Sequence, residues 1–165
     1  MSGLEIERKF LVKKSMDWKT QADSGTHIKQ GYFAAVNTVR VRTRDDKAYL
    51  TIKGPSRTGG MTRYEFEKEI TPDEAQKLFE LCEPGIIDKR RYLVKSGNHT
   101  FEVDEFYGEN EGLVLAEVEL DSEDETFEKP DFIGMEVTGD RRFYNSHMRR
   151  NPFRIWRDTL PEEYR

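Results

Sequence analysis

Glu5-Ile6-Glu7-Arg8-Lys9-Phe10 is the stretch that decides the fold. At the two-residue period of a β-strand, Glu5, Glu7 and Lys9 point one way, while Leu4, Ile6 and Phe10 point the other. One face is apolar and the other carries two acids and a base. The same alternation recurs along the chain. Thr38–Arg44 sets Val39, Val41 and Thr43 against Arg40, Arg42 and Arg44, and Ala48–Lys53 returns from the turn Asp45-Asp46-Lys47 as its hairpin partner. Thr62–Ile70 sets Phe66 and Ile70 against Glu65, Glu67 and Glu69. Ile87–Lys95 carries Lys89, Arg91 and Leu93 on one face. Thr100–Phe106 carries Glu102 and Asp104 opposite Phe101 and Val103, and Leu113–Asp121 carries Glu117 and Glu119 opposite Ala116, Val118 and Leu120. With His27–Ala35 these make eight strands, joined mostly as hairpins, which predicts an antiparallel α+β architecture.

The remaining segments are punctuated by turns and helices. Residues 14–26 read as a loop with a short helical piece around Met16–Ala22, and Gly54–Thr62 as a mobile, Gly-rich hairpin loop. Thr71, Pro72 and Glu74 spell a helix start with a capping box, and Pro84-Gly85 ends that helix. Ser122 with Glu125 spells a second box, predicting a short helix to about Glu128. Asp131–Arg149 reads as turn and helix, and the tail beyond Pro152 as polar apart from Phe153, Ile155 and Trp156. No internal repeat or linker divides the 165 residues, so a single domain over 1–165 is expected.

Composition narrows the function. Charged residues make up 36% of the chain against a usual quarter, yet the net charge of −5 disfavours a nucleic-acid binder. No apolar run reaches a membrane span and no signal-type segment opens the chain, so neither nucleic acid nor membrane is expected as a partner. Cys82 is the one cysteine and reads as a small apolar residue on a helix. That excludes an internal disulfide or a Cys-rich zinc site, and a reducing cytoplasm is the expected compartment. His27, His99 and His147 show no metal-ligand spacing. In GPSRTGG, Gly60-Met61 stands where a phosphate-binding P-loop needs Lys-Ser/Thr, so that motif is rejected, and Arg57 and Arg63 read as solvated loop residues.

The polar faces carry the chemistry. Acids come as Glu5/Glu7, Glu65/Glu67, Glu102/Asp104 and Glu117/Glu119; bases as Lys9, Arg40/Arg42, Lys53 and Lys89/Arg91. A sheet with one face in water alternates in the same way. Such a face mixes signs, however, because residues i and i+2 lie about 7 Å apart and two like charges there repel by about 2.4 kcal/mol at an effective dielectric near 20. Strands sorted by sign point to ligands: cations for the acids, a polyanion for the bases. Closing the sheet with its charged face inward gives a tunnel suited to a linear polyphosphate bridged by metal ions. Hard oxygen donors favour Mg²⁺ or Mn²⁺.

EIERKF resembles the ExExK signature of the CYTH superfamily, the triphosphate tunnel metalloenzymes. VRVR, LTIKG, RYEFEKEI, KRRY, FEVDEF, LAEVEL and EVTGDRRFYN fall in that family's order over most of the chain. The resemblance implies an eight-stranded antiparallel closed β-barrel with surrounding helices. It implies metal-binding acids at Glu5, Glu7, Glu65, Glu67, Asp104, Glu117 and Glu119, with Glu102 a weaker match. Phosphate-binding bases are implied at Lys9, Arg40, Arg42, Lys53, Lys89 and Arg91, with Asp140 and Arg142 near the tunnel mouth and Arg142 counted among the substrate contacts. Glu5, Glu7, Lys9, Glu65, Lys89, Arg91 and Glu117 form the implied catalytic set. Phe143 stands where the family carries Tyr, which leaves Tyr144 to supply that hydroxyl. The likeness is greatest to stand-alone bacterial inorganic triphosphatases. It implies divalent-metal-dependent hydrolysis of tripolyphosphate to pyrophosphate and phosphate, an alkaline optimum, and a monomer or homodimer. A class IV adenylate cyclase, a thiamine triphosphatase and a non-catalytic polyphosphate-binding module are the alternatives.

Overall fold

The computed structural model describes residues 3–165. Its strands are β1 (Leu4–Val12), β2 (Thr26–Tyr32), β3 (Thr38–Arg44), β4 (Lys47–Lys53), β5 (Thr62–Ile70), β6 (Ile87–Ser96), β7 (His99–Phe106), β8 (Val114–Glu119) and β9 (Ile133–Glu136). The helices are α1 (Pro72–Leu81), α2 (Asn145–Met148) and α3 (Phe153–Trp156). Neighbours run antiparallel in the order β5-β4-β3-β2-β6-β7-β8-β1, and a β1–β5 pairing closes the eight into a barrel. No helix among the described residues is long and apolar enough to cross a membrane.

Closure turns on a division of labour along β1. One edge pairs with β8 over Glu7–Leu11; the other pairs with β5 only over Leu4–Ile6. Beyond Ile6 the second edge has lost its partner, and unpaired strand backbone is costly when buried. Met61 accepts from the Glu7 amide at 3.0 Å, Thr138 Oγ1 accepts from the Lys9 amide at 2.9 Å, and β9 pairs with Phe10 and Val12. Ile133–Glu136 is therefore a strand, correcting the turn-and-helix reading of that segment.

Residues directly opposite on antiparallel strands share a face. The register sets Lys53 against Glu65, Arg63 against Glu5, Glu7 against Glu119, Lys9 against Glu117, and Arg91 against Asp104. The sorted polar faces thus all turn inward. The apolar faces pack outward under three coverings. Over β3 and β4 lies α1, which brings Ala75, Leu78 and Phe79 onto Val41 and Ala48. Its capping box forms as expected: Thr71 Oγ1 accepts from the Glu74 amide at 3.1 Å and Glu74 Oε1 from the Thr71 amide at 2.9 Å.

The second covering departs from expectation. Residues 121–124 form bends and turns, and no helix follows. The Ser122 hydroxyl donates to Asp124 at 2.9 Å instead of accepting from the backbone, while Glu125 pairs with His99. The extended chain beyond then lays Phe127 edge-on against Phe10 and Phe101, each at 6.0 Å between ring centroids. The C-terminal tail is the third covering. Phe143, Met148, Phe153, Trp156, Leu160 and Tyr164 join Leu11, Ile87, Phe106 and Leu113 in one cluster at the end of the barrel. The tail is a packed end-piece, with Ile155 its exposed apolar residue.

The Gly-rich loop is folded against that end. The Arg57 amide donates to Thr62 at 2.6 Å, and Gly60 and Gly139, both at positive φ, meet backbone to backbone. A Cβ on Gly139 would collide with the Gly59 carbonyl, so this crossing requires glycine.

Candidate active site

The barrel encloses a cavity of about 220 Å³. Its wall carries seven acids (Glu5, Glu7, Glu65, Glu67, Glu102, Glu117, Glu119) and eight bases (Lys9, Arg40, Arg42, Arg44, Lys53, Arg63, Lys89, Arg91). Tyr32, Thr38, Tyr144, Asn145 and Ser146 complete it. In β3, Arg40 and Arg42 sit 3.8 and 3.6 Å from Glu67, and the Nε of each is buried without a partner. Lys53 is shared between Glu5 at 3.0 Å and Glu65 at 3.1 Å. Lys9 donates to the Phe143 carbonyl at 3.1 Å and lies 3.4 Å from Glu117. Lys89 lies 2.7 Å from Asp104 and donates to Asn145 at 3.0 Å.

Crowding sorts the carboxyls into unlike partners. Burial, then the charges of Glu117 and Glu5, push Glu7 well above the usual carboxylate range. Burial also opposes ionisation of Glu117, but Lys9, Arg91 and a hydrogen bond with Glu7 outweigh it and hold Glu117 low. Glu5 and Glu65 repeat the pattern. Burial opposes the charge on both; Lys53 and a hydrogen bond from Glu65 bring Glu5 down to about 2, while burial and the same bond raise Glu65. Glu119 is raised by burial and by Glu102 and Glu5. Glu7, Glu65 and Glu119 thus resist ionisation, and a cation beside them would ease it.

Among the bases, burial and the neighbouring Arg40 and Arg91 lower Arg42 to about 10. Burial brings Lys89 down to about 8 in spite of Asp104. Lys9 moves the other way: burial lowers it, and Glu117 and Glu7 more than restore it.

Crowded carboxylates with hard oxygens and no His or Cys among them fit Mg²⁺ or Mn²⁺. Among the described residues no three such side chains already converge on one point. Lys53 and Lys9 occupy the acids in this arrangement, so holding an ion requires side-chain rotation.

A model of the CYTH domain matches residues 3–144.

The chain belongs to the CYTH family.

It is 48% identical to the inorganic triphosphatase of Acetivibrio thermocellus over 159 residues, covering 94% of this chain and 99% of that protein. It is 35% identical to the inorganic triphosphatase of Nitrosomonas europaea over 147 residues, covering 86% and 93%. The crystal structure of the inorganic triphosphatase NE1496 superposes with a TM-score of 0.63 at 31% identity, covering 87% of this chain and 93% of that one.

The tunnel brings together every charged residue that the CYTH motifs singled out except three, Asp104, Asp140 and Arg142. Asp104 is 2% exposed and faces cations: Arg91 Nε and Nη2 donate to it at 2.7 and 2.9 Å, and Lys89 approaches at 2.7 Å. It does not line the cavity. Arg142 turns away because Asp140 caps the helical turn Arg141–Phe143, which buries Phe143 and sends Arg142 outward. There it pairs with Asp140 at 2.8 Å and lies over Trp156 at 5.3 Å. Tyr144, not Phe143, faces the tunnel. Arg63, read from the sequence as a solvated loop residue, lies in the wall 3.4 Å from Glu5. Its signal was present: it shares the parity of Glu65 and Glu67. Arg44 continues the parity of Arg42 in the same way, whereas Tyr32, Thr38, Asn145 and Ser146 carried none.

Proposed function

We propose that the protein hydrolyses inorganic tripolyphosphate to pyrophosphate and phosphate with Mg²⁺ or Mn²⁺, as a single-domain enzyme of the cytoplasm. The observation that carries this reading is the enclosed wall of eight bases facing seven acids. The buried donors of Arg40 and Arg42, left without acceptors, suit phosphoryl oxygens. Its relatives named inorganic triphosphatase support the choice of substrate.

Lys9, Arg40, Arg42, Lys53, Lys89 and Arg91 bind and align the phosphoryl chain, and Arg63 and Arg44 join them. Glu5, Glu7, Glu65, Glu67, Glu117 and Glu119 hold the cation, which when bound offsets substrate charge and acts as a Lewis acid. Water adds to a terminal phosphorus as its bond to the bridging oxygen breaks. The bases stabilise the charge that collects on the leaving oxygen. Asp104 holds Lys89 and Arg91 in the wall.

Phosphate release from tripolyphosphate, ATP and thiamine triphosphate, assayed in parallel with either metal, tests this. Fast release from tripolyphosphate is expected. Pyrophosphate and a cyclic nucleotide from ATP, with tripolyphosphate untouched, would refute it.

Lys89 adds a pH signature. Its ammonium titrates near 8, so its pull on substrate fades above that pH. The kcat/KM for tripolyphosphate should fall on an alkaline limb near pH 8 in wild type, with the limb absent from Lys89→Arg. Stability moves in the opposite sense. The unfolded lysine keeps its proton to about 10.4, so between the two values the unfolded state binds more protons and the fold gains stability as pH rises. Melting curves thus separate loss of binding from loss of structure. A wild-type profile flat to pH 10 would overturn the assignment.

A further inference from the structure

The tunnel is polarised along its axis as well as across it. At the end where β1 begins, a cavity of about 840 Å³ is lined by Glu5, Glu65, Glu67, Glu119, Asp121 and Glu125, with no lysine or arginine among the described residues. At the other end, the turn after β2, the Gly-rich loop and the segment around α2 enclose a second cavity of about 550 Å³. Four arginines and a histidine line it, Arg63, Arg141, Arg149, Arg150 and His147, with no Asp or Glu among the described residues. Tyr32, Thr38, Arg63, Tyr144 and Ser146 line both this vestibule and the tunnel, so the two spaces abut through one ring of side chains.

Arg149 marks the vestibule as more than a charged surface. Its side chain is 9% exposed and lies over the Tyr32 ring at 5.8 Å. Glu83, outside the lining, holds one end of the guanidinium at 2.6 Å, yet Nε is buried with no partner. A buried, unpaired donor beside an acid-free cavity suits an anionic oxygen. His147, Arg149 and Arg150 lie beyond residues 3–144, so the CYTH match does not account for them.

We propose that this basic vestibule is the exit port for the phosphate-class anions, orthophosphate and pyrophosphate, released in the tunnel. The proposal rests on the triphosphatase reading above. The acidic mouth accepts a polyanion that arrives with cations bound to it and repels bare anions. The arginine-lined end draws those bare anions onward, so traffic runs one way through the barrel.

Two variants test the port without touching the tunnel wall. Arg141→Glu/Arg150→Glu cancels the positive charge of the vestibule lining, and Ala35→Trp narrows its exposed rim. With enzyme in excess over tripolyphosphate, rapid quenching measures bond cleavage, and reporters for free phosphate and free pyrophosphate measure their appearance in solution. Cleavage should stay within twofold of wild type in both variants, while appearance of the products slows at least fivefold. Products appearing at the wild-type rate in both would overturn the port. So would cleavage slowing together with kcat/KM, which would make the vestibule an entrance. A wild type that cleaves no tripolyphosphate would instead overturn the triphosphatase reading beneath it.

Discussion

Glu117→Gln should lower tripolyphosphate turnover by about 10²–10³-fold, the loss typical of removing one preorganised charge from a water-poor site. The protein should remain folded. Glu117 is buried directly across from Lys9, and its charge is one of the causes, after burial, that raise Glu7. Replacing Glu117 by an amide of the same shape relieves that repulsion. Glu7 then ionises more readily, and it is already a second acidic neighbour of Lys9. With the repulsion on Glu7 relieved and Glu7 still beside Lys9, stability should change by about 1 kcal/mol or less. On the proposed metal-binding role of Glu7 and Glu117, the substrate-loaded state has no such slack, because the cation would need both carboxylates ionised. Urea melts of the metal-free protein and turnover at saturating Mg²⁺ read the two effects separately. A large stability loss with turnover retained would place Glu117 in the scaffold and out of the chemistry.

The barrel was legible because strand periodicity is strict. Once Glu5, Glu7 and Lys9 share a face, so do Glu65 and Glu67, and a sign-sorted face has no good reason to lie in water. What stayed hidden depends on which strand lies beside which. Asp104 has the parity of Glu102 and the chemistry of a metal ligand, but its cross-strand partner is Arg91, and that register joins residues 13 positions apart through a turn that sequence does not fix. Ile133–Glu136 is too short to announce itself, and it is a strand only because β5 leaves β1 after Ile6. Ser122 and Glu125 spell a capping box and yield no helix: Glu125 still accepts from the Asp121 amide while pairing with His99, but the Ser122 hydroxyl turns to Asp124 and packing of Phe127 draws the following chain straight. Arg142 shares a motif with Asp140, yet the pair's own ion bridge satisfies it outside the tunnel. Arg63 was missed for a simpler reason: it was grouped with the Gly-rich run beside it, although it lies within the strand that begins at Thr62.

Asp104→Ala should be the most destabilising single substitution in the tunnel wall, at about 3 kcal/mol, the lower end of the 3–5 kcal/mol typical of breaking a buried ion pair. Its carboxylate faces two buried cations, with Lys89 at 2.7 Å and Arg91 held through two hydrogen bonds. Removing it strands both, though unequally. Lys89 already titrates near 8 and escapes by giving up its proton. Arg91 cannot deprotonate, but keeps Glu102 at 3.1 Å. These two escapes hold the cost near the bottom of the range, and even so it is a large part of the 5–15 kcal/mol that holds a typical domain together. The loss should appear in metal-free protein as a lower urea midpoint with an unchanged slope. It should shrink in the double variant Asp104→Ala/Lys89→Met, which no longer buries an unpaired ammonium. A metal-ligand role for Asp104 demands the reverse pattern: a normal midpoint without metal and a raised Mg²⁺ requirement for turnover. With both carboxylate oxygens committed to Lys89 and Arg91, the first pattern is the one the packing dictates, and the substitution reports on the scaffold that aims those two bases at the substrate.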